Sequence, residues 1–198
     1  MIEFTVSRRA LRAMASCAPT VDVRYYLIGV HVRADQRGII LEATDGYVLA
    51  RLRISPEPVA EPVSIILPSD GLKPVTAGGK KALDDVLTVT VDGAVVTIVT
   101  GGTTHKMLSV EGTYPDTDVI TRKALAAPEE MAQFNPALLE RLRACIVTAS
   151  GADKAMPYYS QRGTQPCIVT ASDLPEFFAL VMPWRADEIS VPEWIRQS

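Results

Sequence analysis

The sequence predicts an α+β protein: one complete βαβββ-βαβββ domain followed by half of a second one. Three observations point there. Short β-branched and aromatic runs recur along the chain, bounded by Gly, Pro, Asn or Asp. Helix start signals follow strand patterns near Ser7, Pro68 and Asn135. The tight-turn dipeptide Asp92-Gly93 and the break Ala34–Gly38 each join two such runs as hairpins.

Taken in order, Ile2 to Val6 alternates as a short strand. Ser7 is the N-cap of a helix from Arg8 to about Cys17, stopped by Ala18-Pro19. Leu11, Met14 and Ala15 fall at helical spacing, which puts Arg8, Arg9 and Arg12 largely on another face. Strands are expected over Tyr25 to Arg33 and Ile39 to Ile54. Pro56, Pro58 and Pro62 then break the chain. Val63 to Leu67 is a further strand, and a weak helix near Leu72 to Ala77 ends at Gly78-Gly79. Strands over 87–91, 94–100 and 104–111 complete the repeat, so that residues 1–120 form one domain. The polar, Ala-rich stretch 121–130 reads as a linker. A half-domain is expected over 131–186: a brief strand at 131–134, a helix from Pro136 to about Cys145, and strands over 155–161, 166–171 and 176–183. Residues 187–198 read as a polar tail.

Composition sets broad bounds. At 198 residues, 47% hydrophobic and 22% charged, the chain can bury a sizeable core. Its apolar runs fall short of the roughly 18 residues of a membrane span, and the amino terminus has no signal-peptide pattern. Cys17, Cys145 and Cys167 are few, odd in number and scattered, so a cytoplasmic chain without a disulfide framework is expected. A net charge of −3 argues against a uniformly basic nucleic-acid binder, yet the cations bunch locally: Arg8, Arg9 and Arg12; Lys73, Lys80 and Lys81; Arg141 and Arg143. Solvated helix faces are the plainer reading of those clusters.

Five motifs, in order and at matching spacing, resemble the bacterial sliding clamp, the beta subunit of DNA polymerase III. Glu3 to Met14 resembles the opening strand and helix of that family's middle domain. Val23-Arg24-Tyr25-Tyr26-Leu27 and Ala43-Thr44-Asp45-Gly46 resemble its VRYYL and ATDG segments. Gly112-Thr113-Tyr114-Pro115-Asp116 resembles its closing turn. Phe134-Asn135-Pro136 with Leu138-Leu139, and Phe178 to Arg185, resemble a helix start and the final strand of its last domain. The resemblance thus covers a middle domain plus the second half of a last domain, in a DNA-clamp (processivity-factor) fold.

That likeness implies a pocket for short clamp-binding peptides of DNA polymerase and repair proteins. Carried over, its floor is Leu27, Thr44, Gly46, Leu49, Pro115, Leu180 and Met182, next to Val181. Pro183, Trp184 and Arg185 form its rim, Tyr47 and Val48 occupy the family's His-Arg positions, and Ile120 with Thr164 or Pro166 adjoins it. The alternative is plain core, since Leu27, Leu49 and Val181 would be apolar in any sheet protein. Tyr47-Val48 and Asp118-Val119 depart from the family's basic residues, which removes cations from the rim. The likeness further implies that Arg8, Arg9, Arg12, Lys73, Arg141 and Arg143 face double-stranded DNA and touch its backbone without reading bases. An orphan half-domain can pair with its copy, so self-association through it is expected, up to a closed ring. A clamp-derived adaptor or competitor without a ring is the alternative. No metal, cofactor or catalytic constellation is expected: His31 and His105 have no ligand spacing around them, and Gly78-Gly79 and Gly101-Gly102 lack a phosphate-loop context.

Overall fold

Strands β1 (Ile2–Ser7) and β5 (Val63–Pro68) open two similar halves, and each pairs across into the other half's sheet. The first half continues with α1 (Arg8–Ala15), β2 (Gly29–Asp35), β3 (Gly38–Thr44) and β4 (Val48–Ser55). The second continues with α2 (Ser69–Thr76), β6 (Val86–Asp92), β7 (Val95–Thr100) and β8 (Thr103–Leu108). Helix α3 (Thr117–Ala126) leads to the half-unit: α4 (Pro136–Ser150), β9 (Pro157–Arg162), β10 (Gln165–Ala171) and β11 (Phe177–Val181). The computed structural model describes residues 1–184; Arg185 and the tail at 187–198 lie outside the described residues.

One sheet has the order β1-β6-β7-β8, the other β5-β2-β3-β4-β11-β10-β9. The half-unit is therefore joined edge to edge. Strand β11 adds antiparallel to β4, with Ala179 opposite Ala50 and Val181 opposite Val48. Ser7 caps α1 by accepting the Ala10 N–H, and the helix buries Ala10, Leu11, Ala13 and Met14 in the main core. Helix α4 opposes α1 with Leu138, Leu142, Cys145 and Ile146. Both cysteines at this seam, Cys17 and Cys145, are fully buried, and the Cys145 thiol donates to the Ala13 carbonyl at 3.3 Å.

Four segments depart from the sequence expectation. Tyr25–Leu27 is a 3-10 turn, because Asp22 accepts the Arg24 N–H at 2.8 Å and the Leu27 N–H bonds back to the Arg24 carbonyl at 2.8 Å. A local Asx turn there overrides aromatic strand propensity. The run 39–54 is two strands folded at Asp45-Gly46. The stretch read as a linker from residue 121 begins inside α3, whose cap Asp116 accepts the Asp118 N–H at 3.0 Å. Residues 131–134 form no strand; without a neighbouring half to pair with, the segment bridges only through Glu130–Arg162 and Gln133–Trp184.

Candidate functional site

The turn between β3 and β4 is built by its own side chains. Thr44 Oγ1 accepts the Gly46 N–H at 3.0 Å and donates to the Val48 carbonyl at 2.6 Å. Asp45 accepts from the N–H groups of Tyr47 (2.8 Å) and Val48 (2.9 Å), and its other oxygen meets Arg141 at 2.6 Å. Gly46 sits at φ +90°, where a Cβ would come within 3.0 Å of the Arg24 guanidinium. Arg24 is held there by Asp22, at 3.0 and 2.7 Å, and by the Asp45 carbonyl at 3.0 Å.

Around this turn lies an apolar cleft of about 310 Å³. Of the predicted residues, Leu27, Thr44, Gly46, Tyr47, Val48, Leu49, Pro115, Ile120, Leu180 and Met182 all line it, as does Pro166. A second hollow of about 410 Å³ shares Tyr47 and Met182 and adds Pro183, Trp184, Asn135 and Leu138. Tyr47 and Met182 thus form the ridge between two lobes. Val181 does not join them: it is fully buried in the main core, because strand alternation sends it to the opposite face from Leu180. Arg185 lies outside the described residues. Arg24, Asp116, Thr117 and Val119 also line the first lobe and had no pocket role in the sequence reading. The helix start Asp116-Thr117 was the available signal for three of them.

Helix α3 forms one wall and is fixed by charge. Asp118, in its first turn, meets Arg51 at 2.8 Å, Arg37 at 2.9 Å and Arg33 at 3.3 Å. Thr117 donates to Glu42 at 3.1 Å and accepts from Arg51. Glu42 is 1% exposed and is bound by Arg51 at 2.8 Å and His31 Nδ1 at 2.9 Å. Burial works to raise the Glu42 pKa, but the His31 hydrogen bond and the charges of Arg51 and Arg33 outweigh it and the net direction is downward. Burial also opposes ionisation of Asp118; the Arg37 hydrogen bond and the three guanidinium charges prevail and bring it to about 2. On its other side α3 seats Ile120 and Ala124 against Leu49, Ile168 and Leu180. Ser64, His31 and Glu42 form a hydrogen-bonded row, with 2.9 Å at each step. Arg51 at 2.8 Å and Arg33 at 3.5 Å share the Glu42 carboxylate with that row.

The predicted DNA-facing cations lie on helices that adjoin one another. Helices α1, α2, α4 and the 3-10 turn Lys80–Asp84 carry eight Lys or Arg against three Asp or Glu, a surplus of five positive charges on a chain of net charge −3. Most of these cations have partners: Arg8 pairs with Asp85 at 2.9 Å, Arg9 with Asp84, Lys73 with Asp70 at 2.6 Å, and Arg143 with Glu140 at 2.7 Å. Arg12 donates to the Gly78 carbonyl at 2.9 Å, and Arg141 turns to Asp45 at the cleft.

Residues 2–116 match the family described as DNA polymerase III beta subunit, central domain. No curated protein matches the sequence significantly. Solved structures do. The DNA polymerase III subunit beta of Pseudomonas aeruginosa is 18% identical with a TM-score of 0.69, over 93% of this chain and 67% of that one. The beta subunit of Thermotoga maritima is 19% identical (TM-score 0.67, 94% and 66%), and that of Streptococcus pyogenes 16% identical (0.68, 94% and 66%). The fold is that of the sliding clamps, and the chain spans about two thirds of the length of these relatives. By the match over residues 2–116, more than half of its length, the chain belongs to the DNA polymerase III beta-subunit family.

Proposed function

We propose that the chain docks short clamp-binding peptides of DNA polymerase or repair proteins in the two-lobed cleft and, as an oligomer joined through the half-unit, encircles DNA as a processivity factor. One observation carries the docking reading: residues far apart in sequence, Leu27, Thr44 with Gly46 to Leu49, Pro115 with Ile120, and Leu180 with Met182, converge on one apolar cleft at the junction of the complete unit and the half-unit. Such a cleft takes Leu or Phe side chains of an extended segment, and the unbranched Met182 adapts to their shape. A peptide with Leu and Phe anchors, followed by fluorescence anisotropy, is expected to bind the native chain. Met182→Asp or Leu27→Asp, which places a carboxylate in the cleft, is expected to weaken it about tenfold or more. Equal binding by these variants, with their fold intact by circular dichroism, overturns the reading.

The ion pairing of the helix cations favours a second reading, in which the chain docks peptides without a ring. A ring stays linked to nicked circular DNA and leaves it once the circle is cut; an adaptor behaves alike on both.

A further inference from the structure

The two halves of the complete unit end differently, and the difference opens a second edge. After β8, the chain returns along β5 and the Val110 N–H bonds the Ile66 carbonyl at 2.9 Å, closing that sheet edge. The corresponding segment after β4, residues 55–60, should close the edge of β1 in the same way. Its hydrogen bonds go elsewhere: the Val59 N–H bonds the Asp35 carbonyl at 3.0 Å, and Glu57 N–H bonds Ser55 Oγ at 3.2 Å. Between this strap and β1 lies a groove of about 710 Å³.

The register fixes what β1 offers to that groove. Arg8 N–H bonds the Asp85 carbonyl, and β1 pairs residue for residue with β6 from there. Phe4 and Val6 therefore turn their backbone groups to β6, while Glu3 and Thr5 turn theirs outward. The floor is apolar, from Phe4, Ile39, Ile54 and Val59. The charged lining residues are both carboxylates, Glu3 and Glu57. An edge whose outward N–H and C=O groups have no partner among the described residues, with an apolar floor and negative charge, fits one class of occupant.

We infer that the outward edge of β1 binds an extended partner peptide as an added strand, with alternating aliphatic and basic residues. The aliphatic side chains enter the groove and the Lys or Arg side chains meet Glu3 and Glu57. This site is separate from the Leu27–Met182 cleft and does not depend on it.

The probe is a short capped peptide of alternating valine and lysine, added to the isotope-labelled full chain. The expected result is saturable shifts at the Glu3 and Thr5 amides, with slowed hydrogen exchange there. Methylating every second peptide nitrogen, which removes donors without touching the protein, is expected to weaken binding by about fivefold or more. Thr5→Pro removes an outward N–H that β6 does not use and is expected to do the same. Glu3→Lys with Glu57→Lys is expected to switch preference to a valine–glutamate peptide. Three outcomes overturn the inference: no shifts at Glu3 and Thr5; equal binding of the methylated peptide; or binding abolished only by Leu27→Asp.

Discussion

Glu42 shows how much a single residue carries in this fold. It sits beneath the cleft wall, 1% exposed, among His31, Arg33, Arg51 and Thr117. Removing its charge leaves the largely buried Arg51 and Arg33 to share Asp118, inside a site mostly shut from water, which is costlier than losing an exposed pair. Glu42→Gln is expected to destabilise the chain by about 3 kcal/mol or more, read as a lower urea midpoint at unchanged slope. Gly46 is the opposite case, a residue needed for what it lacks. Its φ of +90° strains any side chain, and an added Cβ would also push the Arg24 guanidinium aside. At this scale the sequence was partly legible. Thr44-Asp45-Gly46 announces its turn locally, since the residues that bond are within four of each other. The role of Asp118 was hidden, because its three arginines come from β2, the β2–β3 turn and β4. Val181 was misplaced among cleft residues because a motif names a whole strand, whereas alternation splits it between two faces.

At the scale of elements, α3 decides whether the cleft has a wall. Apolar contact through Ile120 and Ala124 holds one side, and the Asp118 ion cluster holds its first turn. The Asp118 pKa is depressed, to about 2, so the stability it contributes is present above its unfolded value of about 3.9 and is lost as pH falls toward 2. Stability of the native chain is therefore expected to fall over that window more steeply than that of Asp118→Asn, in chemical denaturation at each pH. At neutral pH the same variant is expected to speed hydrogen exchange across 117–126 and to weaken peptide binding without touching the peptide. The sequence hid α3 because its polar, alanine-rich composition resembles a linker; tertiary charge contacts make it a helix. It showed the start of α4 well, since Asn135 as cap and Pro136 at the first position need only local chemistry, but not its end, which lies at Ser150 rather than near Cys145. The expected strand at 131–134 failed for the converse reason. A strand requires a neighbour, and the half that would supply one is absent.

For the whole molecule, the question is what the half-unit does with its outer edge. The segment around Glu130 lies along the end of β9: the Glu130 N–H bonds the Gln161 carbonyl at 3.2 Å and the Gly163 N–H bonds the Glu130 carbonyl at 3.0 Å. Pro157 at the start of β9 offers no N–H. Strand addition at β9 is thus largely closed, and self-association through the half-unit has to work by side chains. Met131, Met156 and Tyr158 are exposed there, at 75%, 77% and 65%. A two-fold contact through this patch predicts a mass above the 21.5 kDa of one chain in sedimentation, rising with concentration. Tyr158→Glu together with Met156→Lys is expected to return the protein to a monomer while peptide binding at the Leu27–Met182 cleft stays unchanged. If the native chain already sediments as a monomer at micromolar concentration, the ring is excluded and the adaptor reading stands, because one and a half domains cannot surround a duplex alone. Salt then separates the DNA roles further. The five-charge surplus on the helices predicts weak binding to DNA that falls steeply between low and physiological salt, whereas linkage to a closed circle, once formed, survives the same change.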